Sequence, residues 1–475
     1  MRKISWKGYV TLCVLVFALA AGVGILSQFT ITEAVVLDLF REVAPLIEKE
    51  TGTSIQKTVS VHVVEADQIE QALLEEARPQ MRVQFSDEVQ AEAQAKAFSR
   101  MMASCMLAKY TGKSKTIMVC PENFTKVSDL VGEPALVSRE VLRAVLVHEC
   151  THAADDLKYG FTKTVAILKD RDAILAFNAV VEGHAQFVAR SVCKAQGWGA
   201  SFEVFTKCVT KLPEDENASE AARFMARILV SDLAAAYYDG ERFISAIHEK
   251  QGEEAIRKAF TQPPADFSLI SNPEWFLNPD ARPKTGVDLD TVFSCVEKKY
   301  DKAVWNHALR TITQPQLKTA LMYLPEKTVQ RIIRHMKANR VIVINPKAAP
   351  QSKMIVVGAY VFSSLSEAVH YIAASEKLVR IKDTKMKQGM IKIKNAVYEP
   401  VKQSSWQGIY FRKTVTVMLN DIQIKSIVAS SGPFCVEILY SNEDTTKENL
   451  VGLVNSVFAA IQADAQAFGK STEQP

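Results

Sequence analysis

The chain is 475 residues long, with 57 Lys and Arg against 53 Asp and Glu, a formal charge of +4, and 48% hydrophobic residues. That is room for two or three domains of about 100–200 residues each, with enough apolar content for real cores, so disorder, collagen-like repeats and coiled coil are excluded for the whole. The small charge gives no ground for a nucleic-acid partner, and a single apolar stretch excludes a multi-span transporter.

That stretch comes first. Arg2, Lys3 and Lys7 precede an uncharged run, apolar from about Tyr9 to Leu26. The pattern is a positive n-region followed by an h-region, long enough to be a retained anchor and with small residues (Ala18, Ala20, Ala21, Gly22) that offer a cleavage site. Residues 1–30 therefore read as a signal peptide or an N-terminal membrane anchor, and the basic side places the body outside the cytoplasm. The expected location is periplasmic, secreted or membrane-anchored. Of the seven cysteines beyond Cys13, the pairs Cys105/Cys120 and Cys193/Cys208 are near enough in sequence to bridge. Connectivity is not deducible, and an odd number leaves one thiol over.

Further along, 31–50 reads as a helix, 57–65 alternates like a strand, and 67–78 and 88–108 are helical. A Thr-Gly-Lys-Ser turn leads into a short strand, Lys115, Thr116, Ile117, Met118 and Val119, stopped by Pro121. Ser138 is a good N-cap, with Glu140 in the first turn of a helix running to about Lys158. Helices follow at 172–195, 219–238 and 241–260, then a Pro-rich segment to Pro283. Residues 289–339 look helical and grow basic towards Arg340. Beyond them strands are expected at 354–362, 390–398, 409–419, 422–429 and 435–441, flanked by helices at 366–375 and 446–466. The expected fold class is α+β: a mostly helical domain with a small edge sheet over 31–286, a helical connecting segment at 287–345, and a separate antiparallel-sheet α+β domain at 346–475.

The chemistry is concentrated in Val147-His148-Glu149-Cys150-Thr151-His152, an H-E-x-x-H sequence. Residues four apart share one helix face, so His148 and His152 can offer two imidazoles to one ion. Glu149, beside the first ligand, can take a proton from a water held there and pass it to a leaving amine. The flanks Val141, Leu142, Val145 and Leu146 are apolar, and a polar triplet in such a helix is costly to bury without a partner. A hydrolytic zinc site wants a third protein ligand. Glu182 is the best choice: it lies mid-helix on an apolar stretch, with Asn178 and Gln186 one turn either side. An ordinary solvated stripe is the plain alternative. His184, two residues on, points away from Glu182, so both cannot serve one ion. Cys150 turns away from the ligand pair and reads as a buried free thiol.

These residues have a family likeness. His148 to Asp156 (His-Glu-Cys-Thr-His-Ala-Ala-Asp-Asp), with Val181-Glu182-Gly183-His184-Ala185, resembles the glutamate-zincin metallopeptidases, whose H-E-x-x-H helix is completed by a Glu on the next long helix. More narrowly it is similar to a set of poorly characterised bacterial exported proteins with H-E-x-T-H-A and E-G-x-A helices. Tyr237 to Phe243 is similar to their Y-x-x-G-x-x-F segment, and Pro263-Pro264 with Asn272-Pro273-Glu274 resembles their P-P…H-P-E ending, with Asn272 in place of the His. The likeness covers about residues 57–277. It implies Zn2+ held by His148, His152 and Glu182, with Glu149 as general base of a zinc metalloendopeptidase. It also implies that Lys115 to Val119 is the edge strand to which an extended peptide or protein substrate adds. Asp155 and Asp156 would orient a ligand imidazole from behind, or else be a solvated helix end. Asn178 is a further outer-sphere candidate. Tyr237, Tyr238 and His248 are candidates for stabilising the oxyanion, none singled out.

In the basic segment 327–340 the cations line one side of Val329, Ile332, Ile333 and Met336. It reads as an amphipathic helix packed on its neighbour, or as a surface for membrane or cell-envelope association. Two competing functions stay open: an inactive peptidase-fold binding or assembly protein that keeps a structural metal, and a zinc hydrolase acting on cell-wall material.

Overall fold

A computed structural model describes residues 29–472 apart from 85–87, 169–170, 211–230, 232, 283–285, 350–352, 387–390, 418–419 and 442–444. The apolar run near the N-terminus and most of the helix expected at 219–238 lie outside the described residues. Among those described, no helix is long and apolar enough to cross a membrane.

The chain is α+β, with a three-stranded sheet set among helices in its first half and a seven-stranded antiparallel sheet in its second. Helix α1 (Glu33–Thr51) begins where Thr32 Oγ1 accepts the Val35 N–H at 3.4 Å and ends at Gly52, whose φ of 71° closes the last turn. Its buried positions Val36, Leu39, Phe40, Val43, Ala44 and Ile47 recur every three or four residues and face the core. Each large aliphatic side chain buried there contributes about 1.5–3 kcal/mol. Strand β1 (Ser60–Val63), helices α2 (Ala66–Gln84) and α3 (Glu88–Ala103), and strands β2 (Ala108–Thr111) and β3 (Thr116–Val119) follow. The strand order is β1-β3-β2, β3 running parallel to β1 and antiparallel to β2.

That order corrects the expected edge strand. Residues 116–119 form the central strand, hydrogen-bonded on both sides, and therefore cannot accept an added peptide. The edge beside it is β2, within a stretch whose Ala- and Met-rich pattern reads as helix as far as Ala108. The helix stops at Ala103 because the turn through Gly112 needs a partner strand before it as well as after. Lys115 itself lies in the turn, with φ 54°, and its carbonyl accepts the Ser60 N–H. Pro121 stops β3 and takes the first position of helix α4 (Pro121–Val131), where its missing N–H costs nothing.

Helix α5 (Arg139–Tyr159) starts on the expected cap, Ser138 Oγ accepting the Val141 N–H at 3.3 Å, and stops at Gly160, φ 66°. Unlike a surface helix it is buried almost all round from Val141 to Asp156, so its polar residues must find partners inside. It is walled by α1, by α6 (Arg171–Ala195), by α7 (Gly199–Thr210) and by β2. A π-helical turn, Ala235–Asp239, then leads into α8 (Gly240–Thr261).

The segment 287–345 is not a helical connection. It contains β4 (Trp305–Arg310) and β5 (Met336–Pro346), which belong to the large sheet, ordered β4-β5-β6-β10-β9-β8-β7. Helix α9 (Glu326–His335) does form, with Val329 and Ile332 buried and Arg331 paired with Glu367 at 2.8 Å. The pattern fails past His335 because Met336 to Asn339 pair with β6 (Met354–Phe362), and ladder formation overrides local helix propensity. The other strands are β7 (Ile391–Lys402), β8 (Gln407–Val417), β9 (Asn420–Ser431) and β10 (Phe434–Ser441). Helices α10 (Leu365–Met386) and α11 (Lys447–Thr472) cover opposite faces: Tyr371 and Leu378 pack with Phe362 and Phe411, and Leu453 and Phe458 with Ile427 and Val436. Arg340 on β5 reaches across to Asp172 at the start of α6, Nη1 to Oδ2 at 2.9 Å. All seven described cysteines are thiols, so neither of the two pairings drawn from sequence spacing is formed.

Candidate metal centre

His148 and His152 stand one turn apart on α5, their Nε2 atoms 3.0 Å from each other. Glu182 comes from the middle of α6, with Oε2 3.2 Å from His148 Nε2 and 3.4 Å from His152 Nε2. Around a tetrahedral ion with bonds of about 2.0–2.1 Å, neighbouring donors are separated by about 3.3–3.4 Å, so the three atoms already stand at the spacing of ligands to one centre. Their mutual distances are all within 4.8 Å, and the group can hold a metal ion. The plain alternative for Glu182, a solvated stripe, is thereby set aside.

The local field also suits a cation. Burial raises the Glu182 carboxyl, but the two imidazoles more than reverse this and leave it far below the usual carboxylate range. Burial likewise pulls His152 down. The Glu182 carboxylate, with Glu149 and Asp155 behind it, outweighs that and holds the imidazole at about 9. Positive charge between the three side chains is strongly favoured.

Glu149 is buried, and its Oε2 accepts the backbone N–H of Tyr110 at 2.6 Å. The base candidate is thus tied to β2, the sheet edge next to the site. Aromatic rings complete the surroundings: Phe205 lies edge-on to His148 at 5.5 Å and Phe161 edge-on to His152 at 6.3 Å. Tyr237 stacks on His148, centroids 5.5 Å apart and planes 7° from parallel. Burial pushes its phenol well above the ordinary value, and the nearby Glu182 and Glu149 carboxylates, with a hydrogen bond to Glu182, push the same way. Tyr238 is exposed, and the His248 ring sits 5.2 Å from Phe187. Of the three oxyanion candidates only Tyr237 reaches the cluster.

A pair of glycines fixes that placement. A Cβ on Gly183 would lie 2.2 Å from the Gly240 carbonyl carbon, and a Cβ on Gly240 2.1 Å from the Ala179 oxygen. Backbone rests on backbone here. The glycine after Glu182 therefore lets the π-helical turn approach α6 and set Tyr237 over His148.

The two aspartates behave otherwise than expected. Asp155 Oδ2 bonds His184 Nδ1 at 2.8 Å, which also explains why His184 is no ligand. Asp156 accepts from Tyr110 Oη at 2.9 Å, Lys115 Nζ at 2.7 Å, and the backbone and hydroxyl of Thr162. Both are buried, so neither is a solvated helix end, and neither touches a ligand imidazole. The reason is competition: Asp155 is engaged by His184 on α6, and Asp156 by Lys115 and Tyr110 of the β2–β3 hairpin and by Thr162. Gly112 in that turn has no room for a side chain, its Cβ position being 2.2 Å from Thr162 Oγ1. Asn178 is half-buried one turn before Glu182 and makes no hydrogen bond to the cluster among the described residues. The Nδ1 atoms of His148 and His152 are buried without an acceptor. Cys150 is buried, and burial raises its thiol well above the usual value, in keeping with an inert core position.

Sequence reasoning missed Tyr110 and Lys109. Lys109 Nζ pairs with Glu76 at 2.8 Å; burial lowers its ammonium, but Glu76, helped by Glu149 and Glu182, raises it overall. The available signal was the turn itself: a strand after Thr-Gly-Lys-Ser calls for a partner before it, and Ala108-Lys109-Tyr110-Thr111 alternates.

No protein-family model matches this sequence, and neither a curated protein nor a solved structure is found similar to it.

Proposed function

We propose that the chain is an exported zinc-dependent peptidase of glutamate-zincin type. The observation that carries this reading is the convergence of His148, His152 and Glu182 beside a buried glutamate that is hydrogen-bonded to a sheet edge. Two neutral imidazoles and one carboxylate are the donor set of hydrolytic zinc, and a zinc ion there supplies Lewis acidity for a carbonyl and for water. Glu149 accepts the proton of the attacking water and delivers it to the leaving amine. The Tyr110 N–H holds that carboxylate in place. An extended peptide adds to β2 in the antiparallel sense, which brings a scissile carbonyl past Glu149. Tyr237, kept protonated by its surroundings, donates to the developing oxyanion. Export follows from the N-terminal basic and apolar pattern.

The test is hydrolysis of casein and of peptide libraries by wild type and Glu149→Gln. Zinc-dependent cleavage lost in Glu149→Gln supports the assignment, and equal activity in the two overturns it. A second reading, a binding protein with a structural metal, is favoured by one observation: the orphaned Nδ1 atoms of both histidines lack the acceptors that strengthen hydrolytic metal sites. A chain that binds zinc and cleaves nothing in those libraries supports this second reading.

A further inference from the structure

We propose that the buried Asp155–His184 hydrogen bond is a positioning clamp that sets the gap between the two metal-bearing helices; the inference rests on the metal-site reading above. Asp155 follows His152 by three residues on α5, and His184 follows Glu182 by two on α6. The bond between them, 2.8 Å, therefore crosses the helix interface within one turn of the ligands on both sides. Apart from the ligands' own contacts, it is the only side-chain hydrogen bond between these two helices among the described residues.

Three observations make this more than packing. First, four of the buried positions near it are alanines (Ala153 and Ala154 on α5, Ala185 and Ala189 on α6). Small side chains let helices approach but interlock little, so they leave sliding and rotation poorly fixed. Secondly, the ligand imidazoles have no hydrogen-bond partner at Nδ1 to fix their rotation, both atoms being orphaned. Their aim depends on where the helices stand. Thirdly, the pair is poorly arranged for stability alone: Asp155 is fully buried with Oδ1 unpartnered, a cost that an apolar residue would avoid. His184 is held in its rotamer by Phe260, edge-on at 5.5 Å, and by Phe187, stacked at 6.4 Å. A fixed ring and a fixed carboxylate define one helix spacing, and with it one separation of Glu182 from the two histidines.

The test compares full-length wild type with His184→Phe, which keeps the ring packing and removes the hydrogen bond, and with Asp155→Asn/His184→Gln, which restores a neutral one. Co2+ is the probe, read by titration and by its visible d–d spectrum, which reports coordination geometry independently of fold stability. The clamp predicts a loss of about 10–100-fold in Co2+ affinity and an altered spectrum in His184→Phe, with affinity regained in the double variant. His184→Phe that binds Co2+ as wild type does, with an unchanged spectrum, overturns the clamp while leaving the metal site standing. Wild type that binds no Co2+ overturns both. Should His184→Phe not fold, Asp155→Leu decides on the same criteria, since it keeps the branched shape of the side chain and removes the hydrogen bond.

Discussion

Replacing Gly183 by alanine probes the contact that builds the site from two distant segments. The new Cβ would lie 2.2, 2.4 and 2.6 Å from the carbonyl carbon, oxygen and Cα of Gly240. Carbon atoms rest at about 3.5–4.0 Å, so the π-helical turn must withdraw by about 1.3 Å or more. The obstacle is backbone and cannot rotate aside. Overpacking of this kind costs about 1–3 kcal/mol, against which a mid-helix alanine returns at most about 1 kcal/mol of helix propensity. A net loss of about 1–2 kcal/mol lowers the melting temperature of a unit of this size by about 2–8 °C. The withdrawal also lifts Tyr237, three residues before Gly240, away from His148. The assay is thermal unfolding of Gly183→Ala beside Gly199→Ala, a helical glycine with open space where its Cβ would go. Gly199→Ala should be neutral or slightly stabilising. A Gly183→Ala protein melting with or above wild type would refute the argument that backbone contact sets the approach of this turn.

Two further predictions concern the walls of the site. Burial raises the Asp156 carboxyl, but hydrogen bonds from Lys115, Thr162 and Tyr110 outweigh it and leave its folded value depressed. Its contribution to stability is then present above the unfolded pKa of about 3.9 and is lost as pH falls through the lower folded value. Asp156→Asn should destabilise at neutral pH and flatten the acid limb of a denaturation-midpoint-versus-pH curve. An acid limb as steep as wild type's would show that the carboxylate is not the titrating group. Tyr237→Phe should keep its metal, since the ring and its stacking remain, and lose about 10²–10³ in kcat, the usual consequence of removing one oxyanion donor. Activity retained in that variant would assign the oxyanion to another group.

What could be read from the sequence was what lies on one helix or one strand. His148 and His152 are legible because a spacing of four on an apolar helix dictates their common face, Glu149 because it stands beside the first of them in the same motif, and Ser138 because caps are local. Glu182 is legible because a carboxylate on an apolar stretch of a long helix demands a reason. The partners were not legible. Asp155 meets His184 across 29 positions and Asp156 meets Lys115 across 41, and both choices depend on how α5 is turned within its surroundings. Strand β2 was hidden because four residues after a long helix give too short a pattern to outweigh it, and its edge position depends on sheet order. In the second half, the sequence pattern gives β6 with its boundaries and gives no strand at β5. A run of β-branched residues from Val341 to Ile344 was the available signal, but Met336 to Asn339 join the strand only because β6 is beside them.

The central claim is that α5 and α6 together hold one metal ion. The most direct measurement is the metal content of the chain, folded and purified without chelators, wild type beside Glu182→Ala. The account predicts about one equivalent of zinc per wild-type chain, lost or much weakened when the carboxylate is removed. A folded wild type that carries none and takes up none when zinc is added would contradict it.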